Sequence, residues 1–253
     1  RISISSPNSM WTPVSTSTST RPGHTSPKSA SVNALPDRAR TGFVHLGSDP
    51  LAAAMNPQLA STIAAIDDAN RQDPNNLNGQ PLAMVQGQAG SRWLDELCAT
   101  PRDELRLAVR AHHLRRWELK RVDYPEGRSG YLRWRRANKA HQADSLASLM
   151  QEDEWPESSI ELARLLLGRT KLRTDLDTQT LEDAACLVFL ETQFEAMTER
   201  TEHKHLVSIV AKTLNKMSPG AVILAGSIGL STTSRALLAD AFASVGDEVL
   251  DDD

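Results

Sequence analysis

Aromatic residues are scarce in this chain of 253 residues: five Trp, two Tyr and four Phe make up 4% of it. Cysteine is scarcer still, with Cys98 and Cys186 alone. Two cysteines cannot build a disulfide scaffold or a Cys-rich zinc module, and such low usage fits a reducing compartment. No apolar run approaches the roughly 20 residues of a membrane-spanning helix, so the ordered part is expected to be soluble, with no membrane partner. The length suits one domain of ordinary size with tails, large enough to bury a core without a disulfide or metal staple.

Charge is plentiful but uneven. The total is -4, from 28 Lys and Arg against 32 Asp and Glu. Between Arg106 and Lys139, eleven basic residues face three acids, Glu118, Asp123 and Glu126, so that this stretch carries +8 and the remainder -12. A basic segment in an acidic protein concentrates phosphates that the rest of the surface repels. The alternative is that its arginines pair with acids on neighbouring helices.

Residues 1–50 form a leader rich in Ser, Thr and Pro, with Ser15 to Thr20 uninterrupted. Such a stretch cannot bury enough apolar surface to offset chain entropy, so it is expected to be disordered. It is also acid-poor, a composition shared with mitochondrial transit peptides. A chain that starts at Arg1 is expected to be a fragment; a cytoplasmic location is expected, with the mitochondrion as alternative. Residues 51–246 make the candidate domain, and 247–253 an acidic tail ending in three aspartates.

Within the domain a spacing of three to four between apolar residues dominates, which predicts an all-α fold of about seven to eight helices. Helices are expected over 57–71, around Trp93 to Leu97, from Thr100 to about Leu119, over 131–150, from Ser158, and over 178–200, 203–217 and 234–245. Thr100-Pro101-Arg102-Asp103 reads as a helix start. The segment 73–81 is a turn-rich connection and 123–130 a loop; only Ala221 to Ile228 could be a strand.

Three groups of residues could carry chemistry. His112-His113 precede Arg115, Arg116, Trp117 and Glu118, and adjacent helical residues point about 100° apart, so one histidine at most faces a given site. Imidazole suits metal ligation or proton transfer near neutral pH, and beside arginines it suits anion binding. Tyr131, Arg133, Trp134, Arg135, Arg136 and Lys139 form a basic-aromatic cluster able to hold phosphate by charge and bases by stacking. His141 and Asp144 follow on one face of the same helix. Glu182 and Asp183 sit in an otherwise apolar helix, Asp183 on the face of Cys186, Leu187 and Leu190; a buried carboxylate is costly without a cation or metal.

In order along the chain, Ile66-Asp67 through Gln72-Asp73-Pro74-Asn75, Leu105-Arg-Leu-Ala-Val-Arg-Ala, His113-x-x-Arg116-Trp117-Glu118, Tyr124-Pro125, Gly130-Tyr-Leu-Arg-Trp-Arg, His141, Gln179 through Glu191, and Lys216-Met-Ser-Pro resemble the domain of unknown function 4202 family. The resemblance covers about Ile63 to Leu238. It implies an uncharacterised protein, and fungal members of that family often carry an automatic glutamyl-tRNA synthetase label. The residues do not support ligase activity. Thr41-Gly-Phe-Val-His45-Leu-Gly47-Ser48 lies in the leader, Lys216-Met217-Ser218 continues into Pro219-Gly220, and no alternating strands separate them to build a nucleotide fold.

All-α histidine–aspartate phosphohydrolases offer a looser analogy. Here His113, His141 and Asp183 lie on separate expected helices and form the candidate metal set, with Glu182 and Asp144 as further oxygen donors. Such a mixed N/O set suits a divalent Fe, Mn, Mg or Zn able to activate water, although no contiguous His-Asp pair occurs. On this reading Asp183, Glu182 and His113 are catalytic, while Arg115, Arg116, Trp117, Tyr131, Arg133, Trp134 and Arg135 bind ligand. The expected function is handling of a phosphate-containing small molecule, by metal-dependent hydrolysis or by RNA or nucleotide binding without catalysis. A third reading, an adaptor, has these arginines paired with Glu182, Asp183 and Glu191.

Overall fold

The structure, a computed structural model, describes residues 56–169, 172 and 174–250. The leader expected over 1–50 and the last three residues of the acidic tail lie outside the described residues. Helix α1 (Pro57–Asn70) starts where the Asn56 side chain accepts from the Gln58 N–H and Pro57 opens the first turn. The turn-rich connection after it is organised by Asp73, whose carboxylate accepts from the Asn75 and Ala83 N–H groups, both at 2.9 Å. It closes into a two-residue antiparallel hairpin, β1 (Asn76–Leu77) with β2 (Gln80–Pro81), turned at Asn78 and Gly79, both at positive φ. This hairpin is the only sheet among the described residues, which therefore hold no parallel nucleotide-binding sheet before Lys216-Met217-Ser218.

Helix α2 (Leu82–Leu97) is longer than the short helix expected around Trp93. Its two glycines lower helix propensity but let α2 sit close to its neighbour, where a Cβ on Gly87 would lie 2.9 Å from the Arg110 carbonyl oxygen. That neighbour, α3 (Asp103–Arg110), is shorter than expected and does not reach Leu119. Ala111 leaves helical geometry and Arg115 turns left-handed at φ 51, followed by 3-10 turns at Arg116–Glu118 and Arg121–Asp123. Ala111 and Leu114 are fully buried, so the apolar spacing that imitated a longer helix comes from a buried turn. Thr100 is not the cap: Arg102 takes that place without a side-chain bond.

Helix α4 (Gly127–Glu152) begins inside the expected loop. Helix α5 (Glu157–Gly168) follows Pro156, and α6 (Leu176–Thr192) is capped by the Asp175 carboxylate, which accepts from the Thr178 N–H at 2.8 Å. The single helix expected over 178–200 is broken at Gln193 (φ -128), leaving α7 (Phe194–Thr198). After α8 (His203–Leu214), the strand candidate is instead helix α9 (Pro219–Ala225), started by Pro219 and by a Ser218 hydroxyl that accepts from the Ala221 N–H. Helix α10 (Thr232–Leu250) completes the fold. The fold is all-α, with ten helices among the described residues; the broken 178–200 helix and α9 account for the excess over the number expected. No described helix is long and apolar enough to cross a membrane.

Helix α6 is buried on nearly every side, as a central helix should be. Its first half, through Leu181 and Ala184, joins a core built by α1 to α5. Its second half, from Cys186 to Leu190, joins a core built with α7 to α10. Trp93 and Leu97 of α2 pack against both. Four of the functional candidates, His113, Arg116, Arg135 and Glu182, gather at the seam between these cores.

Candidate functional site

Four segments converge on a deep cavity of about 90 Å³. The first is the turn that ends α3. Backbone bonds from Ala111 to Leu107, His112 to Val109 and Leu114 to Ala111 wind it tightly, and burial of Leu114 holds it down. The rings of His112 and His113 are thereby brought together, centroids 4.2 Å apart and tilted by 33°, and both residues are buried. The 100° divergence expected on a helix is lost, and both rings line the cavity.

The second segment is α4, where Arg135, Asn138, Lys139 and Gln142 fall three, four and seven apart and so share a face. The third is the end of α5, where Arg169 takes a left-handed cap (φ 52) with its N–H bonded to the carbonyls of Leu165 and Leu166. The fourth is α6 with the end of α8: Glu182, Cys186 and Phe189 from the former, Thr213 and Lys216 from the latter.

The wall carries five cationic side chains, Arg116, Arg135, Lys139, Arg169 and Lys216, and one carboxylate, Glu182. Arg169 Nη1 lies 2.9 Å from Glu182 Oε2, and Lys216 Nζ lies 3.9 Å from Oε1. Burial pushes the Glu182 carboxyl up, but Arg169, Lys216, Lys139 and Arg135 together outweigh it, and its pKa lies below the ordinary value. Burial, with Arg169 and the other cations, lowers Lys139 to about 8; its Nζ donates to the Gly168 carbonyl at 3.3 Å. Burial likewise lowers His112 to about 4, with Arg169 adding to it, and takes His113 well below its usual value. Both imidazoles are therefore neutral at pH 7. Cys186 is pushed up to about 12 by burial, then by Glu182, so it offers no thiolate.

Several polar atoms in the cavity residues are buried with no hydrogen-bond partner: His112 Nε2, His113 Nδ1, Asn138 Oδ1, Gln142 Nε2 and Arg169 Nε. Native interiors rarely leave such atoms unsatisfied, and a cluster of them calls for an explanation.

Some expected site residues come together here: His113, Arg116, Arg135 and Glu182 line one cavity. Others do not. Asp183 is buried but turned elsewhere, its Oδ1 accepting from the Ser218 N–H and from Gln179 Nε2, both at 2.9 Å, which ties α6 to the start of α9. His141 lies outside, with its Nε2 2.8 Å from Glu118 Oε2. Among the described residues no group of three or more His, Cys, Asp or Glu side chains could hold a metal ion. The set His113, His141 and Asp183 is therefore not assembled, because each side chain is committed to a different neighbourhood.

Arg115 is exposed and stands 4.0 Å from Glu118, and Arg133 is exposed on α4. Trp117 is half-buried and does not line the cavity. Trp134 is core: only 3% exposed, it donates from Nε1 to the Leu119 carbonyl at 2.9 Å. Its ring lies under Arg116 at 4.8 Å, while Tyr131 carries Arg135 at 5.8 Å. These aromatic rings thus support arginines. Pairing with acids on neighbouring helices accounts for part of the basic segment, since Arg106 pairs with Asp95 and Arg110 with Asp67. The acids of the adaptor reading meet other groups: Glu182 meets Arg169 and Lys216, Glu191 meets Arg92, and Asp183 accepts from Ser218 and Gln179. Neither alternative accounts for the cavity, where cations outnumber acids five to one.

Arg169 and Lys216, unlike Lys139, stand outside the basic segment, and only the buried Glu182 signalled that some cation must reach it. A shallower groove of about 670 Å³ adjoins on the outer side of α4, lined by Leu132, Arg136, Ala140 and Arg164. Arg135 and Lys139 line both spaces and form the ridge between them.

Comparison with curated proteins finds no match, nor does comparison with solved structures. Residues 60–238 match the model of a family described as Domain of unknown function (DUF4202).

Proposed function

The chain belongs to that family, whose description assigns no chemistry, and from the cavity we propose that it binds a phosphate-containing small molecule, the phosphate group entering between α4 and α6. The observation that carries this reading is the excess of five cations over one carboxylate around buried, unpartnered donors. Low-dielectric walls make each charge count for more than it would at the surface. The cavity has room for a few waters or one small oxyanion, whereas a whole drug-sized ligand needs roughly 300 Å³ or more. The adjoining groove, reached across the Arg135–Lys139 ridge, suits whatever the phosphate is attached to. Neutral histidines, a protonated Cys186 and an ion-paired Glu182 make the cavity first of all a place of binding.

The test is calorimetric titration of the full chain with orthophosphate and with phosphorylated small molecules, beside thermal melts. Binding and a raised melting temperature are expected in the wild type. Arg135→Gln and Lys139→Met should each weaken binding about tenfold or more, since a charge-assisted hydrogen bond is lost. Absence of binding by any phosphate compound would sink the reading. Binding of single-stranded RNA with steep salt dependence, lost in Arg133→Gln and Arg136→Gln but not in Arg135→Gln, would favour the nucleic-acid alternative.

A further inference from the structure

An anion needs donors, and residues of the cavity wall carry them, among them Gln142 Nε2 and Arg169 Nε, both buried without a partner. The cavity residues also present acceptors, which a bare anion cannot use. His112 Nδ1 lies 2.7 Å from the Val109 carbonyl oxygen. A carbonyl only accepts, so Nδ1 carries the ring's hydrogen and Nε2 of the neutral imidazole is left as a lone pair. That Nε2 is buried and unpartnered. Asn138 repeats the pattern: its Nδ2 donates to the Trp134 carbonyl at 3.1 Å, which leaves Oδ1 as a second buried acceptor without a partner. Glu182 is already engaged as the counter-ion of Arg169 at 2.9 Å, with Lys216 at 3.9 Å, and His112 Nε2 and Asn138 Oδ1 are the acceptors left with no partner at all.

A fully deprotonated oxyanion would meet His112 Nε2 lone pair to lone pair and leave it unsatisfied, which costs more than a hydrogen bond gains. An oxyanion with an O–H satisfies the donors and the acceptors together. We propose that the deep cavity selects a phosphate group accompanied by a hydroxyl, with His112 Nε2 accepting that hydrogen and Asn138 Oδ1 as the neighbouring acceptor. This inference rests on the phosphate reading of the cavity. The hydroxyl has two sources: the P–O–H of hydrogenphosphate itself, or an alcohol on the carbon next to a phosphate ester.

Four probes separate the cases at pH 8, where all carry about the same charge. Hydrogenphosphate keeps its O–H; glycerol phosphate supplies an alcohol; sulfate and methyl phosphate have neither. Titrated calorimetrically into the full chain, hydrogenphosphate or glycerol phosphate is expected to bind about tenfold tighter than sulfate and methyl phosphate. Whichever of the two binds tighter identifies the source of the hydroxyl. Sulfate and methyl phosphate binding as well as the better of the pair would overturn the selection while leaving the phosphate reading intact. No binding by any of the four would overturn both. His112→Phe, which removes the acceptor for the hydroxyl together with the lone pair that opposes a bare anion, is then expected to bring the preference within about twofold, and a preference that survives in a folded His112→Phe would refute the role of His112. The wild-type comparison stands by itself if that variant does not fold.

Discussion

His112 sets how the protein should respond to acid. In the unfolded chain a histidine takes up its proton near pH 6.5, whereas folded His112 does so only near 4. Between those values the unfolded state binds the extra proton, so stability that is full above pH 6.5 falls as the pH drops and stops falling near 4. Urea unfolding at pH 5 should show a loss of roughly 2 kcal/mol from His112 relative to pH 7, with His113 acting in the same direction. His112→Phe should flatten that dependence, and an unchanged midpoint between pH 7 and 5 in the wild type would show that the imidazole is not buried neutral. At this scale much of the site is legible in the sequence. His113, Arg116, Arg135 and Glu182 stand out because their types are unusual where they occur. Arg169 does not, since a lone arginine after Leu165-Leu166-Leu167-Gly168 looks like any solvated helix end, and only the tertiary approach of α6 gives it Glu182. Asp183 misleads for the converse reason: backbone N–H groups and amides can satisfy a buried carboxylate as well as a metal can, and no spacing rule tells them apart.

The elements show where periodicity informs and where it stops. Apolar spacing locates α1, α4, α5, α6, α8 and α10, because each lays a stripe against a core. It overextends α3, since Ala111 and Leu114 hold helical spacing inside a turn, and it misreads α9, whose Val222, Ile223 and Leu224 look like a strand until the Ser218 cap is counted. The start of α4 depends on one glycine. A Cβ on Gly130 would overlap the Pro125 carbonyl, a backbone atom that no side-chain rotation can move aside. Gly130→Ala is therefore expected to unwind the first turn of α4 or to destabilise the fold by about 1–3 kcal/mol, read from chemical denaturation. A variant of wild-type stability would mean that the loop before α4 yields freely.

In the whole molecule, two cores share α6, and the cavity lies along their seam: the α3 turn, α4 and Arg169 belong to one side, while Cys186, Phe189, Thr213 and Lys216 belong to the other. Glu191 of α6 receives the indole N–H of Trp93 at 2.7 Å and also pairs with Arg92, which fastens α2 across the same seam. No single segment of sequence could reveal this arrangement, because the cations come from four stretches that folding alone assembles. Folding also buries those like charges side by side, and burial first, then the neighbouring cations, make Lys139 lose its proton more readily. A chain selected only for durability would not keep such crowding. Lys139→Met is accordingly expected to melt at a higher temperature than the wild type in phosphate-free buffer and at a lower one in saturating phosphate. Such a crossover in the two melting curves would mark the wall as shaped by selection for its occupant, at the expense of the unoccupied protein's own robustness.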